Sequence, residues 1–333
     1  MANVLVGNDV MVGYPAHFEL YDGASYSVKT STGFQATDSA GHAVTAAGTN
    51  LTYNASGVNG GVITSLTLHF NGKLIFQATD LAIDGASNVY ETGFGGIAPG
   101  IESEVAYWLR GADTIMGGTG WEVLRGFGGN DTFIGGPGND AIQGGDGLDT
   151  AVYTGVFTDK DYSISTVWTP NGTNIIVRNF TGTDGTDSLN SVERIQFGTS
   201  AFGFDVDGTG GEAYRLYQAA LNRKPDAGGL GFYIAQLDKG VTLVDAADSF
   251  IKSEEFIKLY GAGTENDSFV SAVYQNVLHR VPDAGGLKFY IDALDEGRAT
   301  RAEVLADFSE STENKAQLIG VMQNGFEYTP YTA

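Results

Sequence analysis

The chain has 333 residues, 42% of them hydrophobic and none of them cysteine, with 18 Lys+Arg against 40 Asp+Glu for a net charge of -22. That length allows two or three domains, each with its own core, and the apolar share excludes a disordered chain. The charge repels nucleic acid and anionic membranes and favours hydration or cation binding, so no nucleic-acid partner is expected. The lack of cysteine excludes disulfides, so a small irregular domain needs another staple, such as a metal.

No run reaches the roughly 18 apolar residues of a membrane span, so no transmembrane segment is expected. The opening MANVLVGNDVMVGYP has neither the basic nor the apolar region of a secretory signal. Export, if it occurs, is expected by another route.

Residues 1–104 are rich in Thr, Ser, Gly, Asn and β-branched residues and predict an N-terminal β-domain. Val62, Leu66, Leu68 and Phe70 alternate with Ile63, Ser65, Thr67 and His69, and Asn71-Gly72 follows. Asn-Gly between alternating runs is a strong hairpin signal. Further turns are expected at Asp22-Gly23, Asn59-Gly60 and Asp84-Gly85.

Residues 105–155 carry a nine-residue period. Asp113, Glu122, Asp131, Asp140 and Asp149 keep step, with a glycine two residues before each (Gly111, Gly120, Gly129, Gly138, Gly147) and an apolar residue two after (Ile115, Leu124, Phe133, Ile142, Ala151). A helix does not tolerate this glycine density, at about 1 kcal/mol per glycine relative to alanine. A parallel coil does: two units complete a turn of 18 residues, and like positions stack at strand spacing, roughly 4.8 Å. Asp113, Asp131 and Asp149 then line one edge, and Glu122 and Asp140 the other. Like charges so spaced repel by roughly 1 kcal/mol in water and by more in a protein interior. A cation reverses the sign, and carboxylates with glycine-turn carbonyls form an all-oxygen shell that suits Ca²⁺.

GGPGNDAIQ (Gly135–Gln143) and GGDGLDTAV (Gly144–Val152) fit the pattern G-G-x-G-x-D-x-U-x. The region resembles the β-roll of RTX, or hemolysin-type, calcium-binding proteins. The resemblance implies an ion between the turns of repeats n and n+2, with Asp113, Asp131, Asp140 and Asp149 as carboxylate ligands. Glu122 is a further candidate, and the turn residues Gly111, Gly118, Gly120, Gly129, Asn130, Gly136, Gly138, Asn139, Gly145 and Gly147 supply carbonyls. The unit GGTGWEVLR departs from the pattern, with Glu122 for aspartate and a bulky Trp121, and in the next unit Phe127 replaces a glycine.

Residues 156–204 predict a β cap of the roll, with an Asn-Gly turn in ISTVWTPNGTNIIV and a strand in VERIQFG. GTDSLNSVERIQFG is similar to the segment that closes RTX rolls. DVDGTGGE (Asp205–Glu212) offers Asp205 and Asp207 either as helix-capping carboxylates or as one more calcium site; it lacks the third acidic position and the distal glutamate of an EF-hand.

Residues 205–333 predict helices, and they contain a duplication. YQAALNRKPDAGGLGFYIAQLDKG (Tyr217–Gly240) and YQNVLHRVPDAGGLKFYIDALDEG (Tyr274–Gly297) align without gaps at an offset of 57, with 16 of 24 residues identical. Asp226 and Asp283 are expected to cap helices, and Arg223 and Arg280 to pair with carboxylates inside each half. This part resembles the module known as domain of unknown function 4214. The tail Lys315–Ala333 is expected to pack on the helices, to adjoin an uncleaved C-terminal export signal of the type I pathway, or both.

Signals of an enzyme are lacking: there is no H-E-x-x-H, no G-x-S-x-G, no phosphate loop, and His17, His42, His69 and His279 lack ligand spacing. The fold class expected is multidomain β plus α. The function expected is that of a non-enzymatic, extracellular or cell-surface, calcium-binding structural protein that associates with itself. The alternative is a calcium-dependent adhesin that binds cell-surface glycan through the N-terminal part, with Tyr53 or Trp168 in a groove; a hydrolase or toxin comes third.

Overall fold

In a computed structural model of the chain the described residues are 3–6, 25–37, 42–54, 57–70, 73–84, 111–169, 172–261 and 263–331. They form two units, 1–198 and 199–333.

The first unit is β throughout. Strands β2 (Ser25–Thr30), β3 (Gly33–Thr37), β4 (His42–Asn54), β5 (Gly57–Phe70) and β6 (Lys73–Asp84) form an antiparallel meander. Phe70 pairs with Lys73 where the sequence places the Asn-Gly turn; Asn71 and Gly72, like Asp22, Gly23 and Gly85, lie outside the described residues. Asn59-Gly60 is not a turn: it lies within β5, where the register with β4 shifts between Thr49 and Tyr53 and absorbs the glycine. A second shift, between Ile63 and Ser65, breaks the simple alternation, and Val62 is exposed.

The repeats form short parallel strands that alternate between two sheets. β7 (Thr114–Met116), β9 (Thr132–Ile134) and β11 (Thr150–Tyr153) lie side by side in one. β8 (Val123–Gly128) and β10 (Ala141–Asp146) pair in the other. Partner strands are 18 residues apart, as Ile115 with Phe133 and Leu124 with Ile142. The eighth-position residues Ile115, Leu124, Phe133, Ile142 and Ala151 are all buried.

The chain continues the same stacking after a detour. Hairpin β12 (Tyr162–Thr169) and β13 (Gly172–Asn179) leads into β14 (Thr186–Asn190), which pairs parallel with β10, and then β15 (Arg194–Phe197), which pairs parallel with β11. At the other end β1 (Asn3–Val6) pairs parallel with β7 and antiparallel with β6. Residues 1–198 fall in one unit, in which β1 joins the meander to the repeats in a single sheet.

The second unit has eight helices among the described residues: α1 (Thr209–Leu221), α2 (Ala227–Asp238), α3 (Leu243–Ile251), α4 (Glu254–Tyr260), α5 (Asn266–Val277), α6 (Ala284–Asp295), α7 (Arg301–Ser309) and α8 (Thr312–Met322). The duplication is structural, with α1 to α4 recurring as α5 to α8. Asp226 and Asp283 each accept a hydrogen bond from the amide three residues on, at 2.8 Å. Arg223 forks onto Glu255 at 2.6 and 3.0 Å, and Arg280 onto Glu313 at 2.8 and 3.0 Å. β16 (Ser200–Gly203) and β17 (Phe326–Tyr328) pair antiparallel, and Phe326 and Tyr328 join the helical core with Leu216, Ile234 and Phe308. Part of the tail is therefore packed structure.

Candidate metal centre

The acidic positions of the repeats are buried: Asp113, Glu122, Asp131, Asp140 and Asp149 are each at most 3% exposed. Each bonds to the neighbouring coil in the same way. The Asp113 amide donates to Asp131 Oδ1 at 2.8 Å, the Glu122 amide to Asp140 Oδ1 at 2.9 Å, and the Asp131 amide to Asp149 Oδ1 at 2.8 Å. The second oxygens, Oδ2 of Asp131, Asp140 and Asp149, are buried with no hydrogen-bond partner among the described residues. Buried polar atoms are nearly always satisfied, so three orphans at equivalent positions call for a ligand.

Those oxygens face glycine backbone. A methyl group added at Gly126 would collide with Asp131 Oδ2 and the Gly144 carbonyl; at Gly144, with Asp149 Oδ2 and the Ser191 carbonyl; at Gly135, with Asp140 Oδ2. Each cradle thus exists because glycine lacks Cβ, and the first two combine a carboxylate oxygen with a carbonyl oxygen of the next coil. Gly129, Gly136, Gly138, Gly145 and Gly147 have φ between +87° and +147°, which brings their turns round. Phe127 takes the same left-handed region at φ 68° without that freedom.

Without an ion the arrangement is electrostatically unfavourable. Burial, aided by Asp149 and Asp113, pushes the Asp131 carboxyl up to about 7. Burial together with Asp187 and Glu122 pushes Asp140 up to about 8. Burial together with Asp146 pushes Asp149 up to about 6. A divalent cation would oppose all three shifts by favouring the charged carboxylates.

The other sequence candidates play different parts. Glu122 reaches back into its own turn and accepts from the Gly118 and Gly120 amides at 3.1 and 3.2 Å, so its unit is held from within. Asn130 Oδ1 accepts from the Leu148 amide at 3.0 Å and Asn139 Oδ1 from the Thr186 amide at 2.7 Å; these side chains tie coils together and leave only their carbonyls for an ion. Gly111, at the entry to the repeats, is exposed, and a methyl group added there would meet nothing within 4 Å. Asp205 accepts from the Gly210 amide at 2.7 Å, the capping role for α1. Asp207 is exposed before that helix. Among the described residues no three Asp, Glu or His side chains converge on one point, so an ion here would take most of its ligands from carbonyls and water. His17 is outside the described residues, His42 and His69 lie on β4 and β5, and His279 follows α5 with φ 53°.

Two acidic residues of the stack escape the nine-residue count. The Asp140 amide donates to Asp187 Oδ1 and the Asp149 amide to Glu193 Oε2, both at 2.8 Å, continuing the two edges by one coil each. Asp187 Oδ2 accepts from the Tyr153 hydroxyl at 2.8 Å, so this carboxylate is satisfied and closes its edge. The signal available in the sequence is the two-residue step from acid to apolar, Asp187 to Leu189 and Glu193 to Ile195, which matches Asp140 to Ile142.

A family model described as "Domain of unknown function (DUF4214)" matches residues 247–318, from within α3 to within α8. The C-terminal module is thus of that kind. No curated protein matches the chain. Among solved structures, the extracellular lipase LipA from Serratia marcescens is 24% identical over 26% of this chain and 13% of its own, with a TM-score of 0.22. The chain spans a small fraction of that lipase's length. No described helix is long and apolar enough to cross a membrane.

Proposed function

We propose that the chain is an extracellular, non-enzymatic structural protein whose repeats fold around Ca²⁺ and which assembles with copies of itself at the cell surface. The observation that carries this reading is the row of buried aspartates Asp131, Asp140 and Asp149, each using one oxygen to hold the neighbouring coil and leaving the other without a partner among the described residues, beside glycine backbone. Hard oxygen donors with little negative charge per site, in a cradle shaped by flexible glycine turns, favour Ca²⁺ over Mg²⁺, which demands a smaller octahedral shell. Asp131, Asp140 and Asp149 would hold the ions, and Asp113 would join Asp131 on its edge. Calcium neutralises the stack and so couples binding to folding. At the low calcium of a cell interior the repeats would stay soft; at the millimolar level outside they would set.

The test is light scattering of chelated protein as about 5 mM calcium is added. Growth into large ordered particles supports the reading, and a protein that folds but stays monomeric removes the assembly part of it.

A further inference from the structure

The two halves of the helical unit repeat one arrangement and differ in what covers one helix. In the first half the segment that follows β17 lies on α2. The Thr329 amide donates to the Ala227 carbonyl at 2.9 Å, and the Phe232 and Tyr331 rings meet edge to face with centroids 5.2 Å apart. Gly231 permits this, since a methyl there would collide with the Thr329 carbonyl. Leu230, Ile234 and Leu237 are buried.

The offset of 57 residues places α6 at the same position in the second half. There Leu287, Ile291 and Leu294 are only half-buried, and Ala293 alone is fully so. Phe289 is 61% exposed against 37% for its counterpart Phe232, and Val281, in place of Lys224, is 78% exposed. Leu287, Ile291 and Leu294 pack on the helical core as their counterparts do, but the outer side of α6 lacks the cover that the segment after β17 gives α2 and leaves Phe289 exposed.

Lys288 decides what can cover that side. It stands where the first half has Gly231, so a strand carbonyl approaching as that of Thr329 does would strike its Cβ. A side-chain surface remains, and its charges match themselves. Lys288 and Asp292 form an ion pair at 2.8 Å on one flank of Phe289. If two α6 helices pack antiparallel about a point near residue 290, Lys288 of each meets Asp292 of the other across a Phe289 contact.

We propose that the exposed face of α6 is a self-association surface that docks on the same face of a second copy of this chain around a two-fold axis. The proposal rests on the self-assembly part of the reading above and not on its calcium part. One helix face is a small patch, so the contact is weak and concentration-dependent.

Sedimentation equilibrium of the full chain from micromolar to millimolar concentration, run in calcium and again in EGTA, tests it. The expected result is a monomer–dimer equilibrium in both buffers. Phe289→Glu should raise the dimer Kd by about tenfold or more. Lys288→Asp alone should weaken the dimer, and Lys288→Asp with Asp292→Lys should restore it. These positions are exposed, so the far-UV circular dichroism of each variant should match the parent. A monomer at every concentration, a dimer indifferent to Phe289→Glu, or a monomer whose α6 amides are protected from hydrogen exchange by another segment of its own chain would each overturn the proposal. Association that follows the α6 variants alike in both buffers would support it and leave the calcium dependence of larger particles to the light-scattering test above.

Discussion

The Asp131 amide donates to Asp149 Oδ1 at 2.8 Å, 18 residues away, while Asp149 Oδ2 finds no partner among the described residues. One oxygen sets the register between coils, and under the proposed function the other would meet an ion. Substitution by asparagine separates them, since Oδ1 is kept and the negative charge is lost. Asp131→Asn is expected to raise the melting temperature in EGTA, by relief of about 1–3 kcal/mol for an unsatisfied buried group, and to reduce the gain on adding calcium. A melt in each buffer shows opposite signs if this is right.

The pH dependence of the chelated protein follows from the same oxygens. Asp131, Asp140 and Asp149 have carboxyls raised to about 7, 8 and 6, above the roughly 3.9 of an unfolded aspartate. A raised folded value means that the folded state holds the proton more tightly. The stabilisation is full below the unfolded value and is lost as pH rises through the folded values. In EGTA, stability should fall between about pH 4 and pH 8. In excess calcium the ion displaces those protons, so calcium affinity should weaken as pH falls. Denaturant melts at several pH values in both buffers measure the two trends.

In the helical unit two ion pairs of similar geometry should differ greatly in worth. Arg215 is 1% exposed, forks onto Glu310 at 2.6 and 2.8 Å and donates to the Val206 carbonyl. Glu310→Ala strands a buried guanidinium and is expected to cost about 3–5 kcal/mol. Arg280 and Glu313 are about 40% exposed each, so Glu313→Ala should cost at most about 1 kcal/mol. Urea unfolding of the two variants compares them directly.

Glycines of the repeats should sort by their surroundings. Gly138 has φ +147°, and a methyl there would run into the Gly120 carbonyl, so Gly138→Ala should cost several kcal/mol and weaken calcium binding. Gly111 has open space, and Gly111→Ala should stay within about 0.5 kcal/mol of the parent. Isothermal titration with calcium and thermal melts distinguish the pair.

Local periodic chemistry was legible in the sequence. The nine-residue registers place Asp131, Asp140 and Asp149 on buried edges and Phe133 and Ile142 in the core, and the offset of 57 finds both halves of the helical unit. Features set by long-range pairing were not. Asp187 and Glu193 belong to the stack, but the hairpin Tyr162–Asn179 interrupts the count before them and the two are six positions apart instead of nine. β1 joins the repeats across more than 100 residues, an association that no local pattern encodes. Glu122 looked like a longer aspartate; its extra methylene lets it take the amides of its own turn instead.

The central claim is that the row of aspartates makes the first unit depend on a divalent ion. Differential scanning calorimetry of the full chain, in EGTA and in excess calcium, tests it most directly. A transition shifted up by roughly 5–10 °C or more with calcium and little moved by the same concentration of magnesium is expected. Superimposable curves in EGTA and in calcium would contradict it.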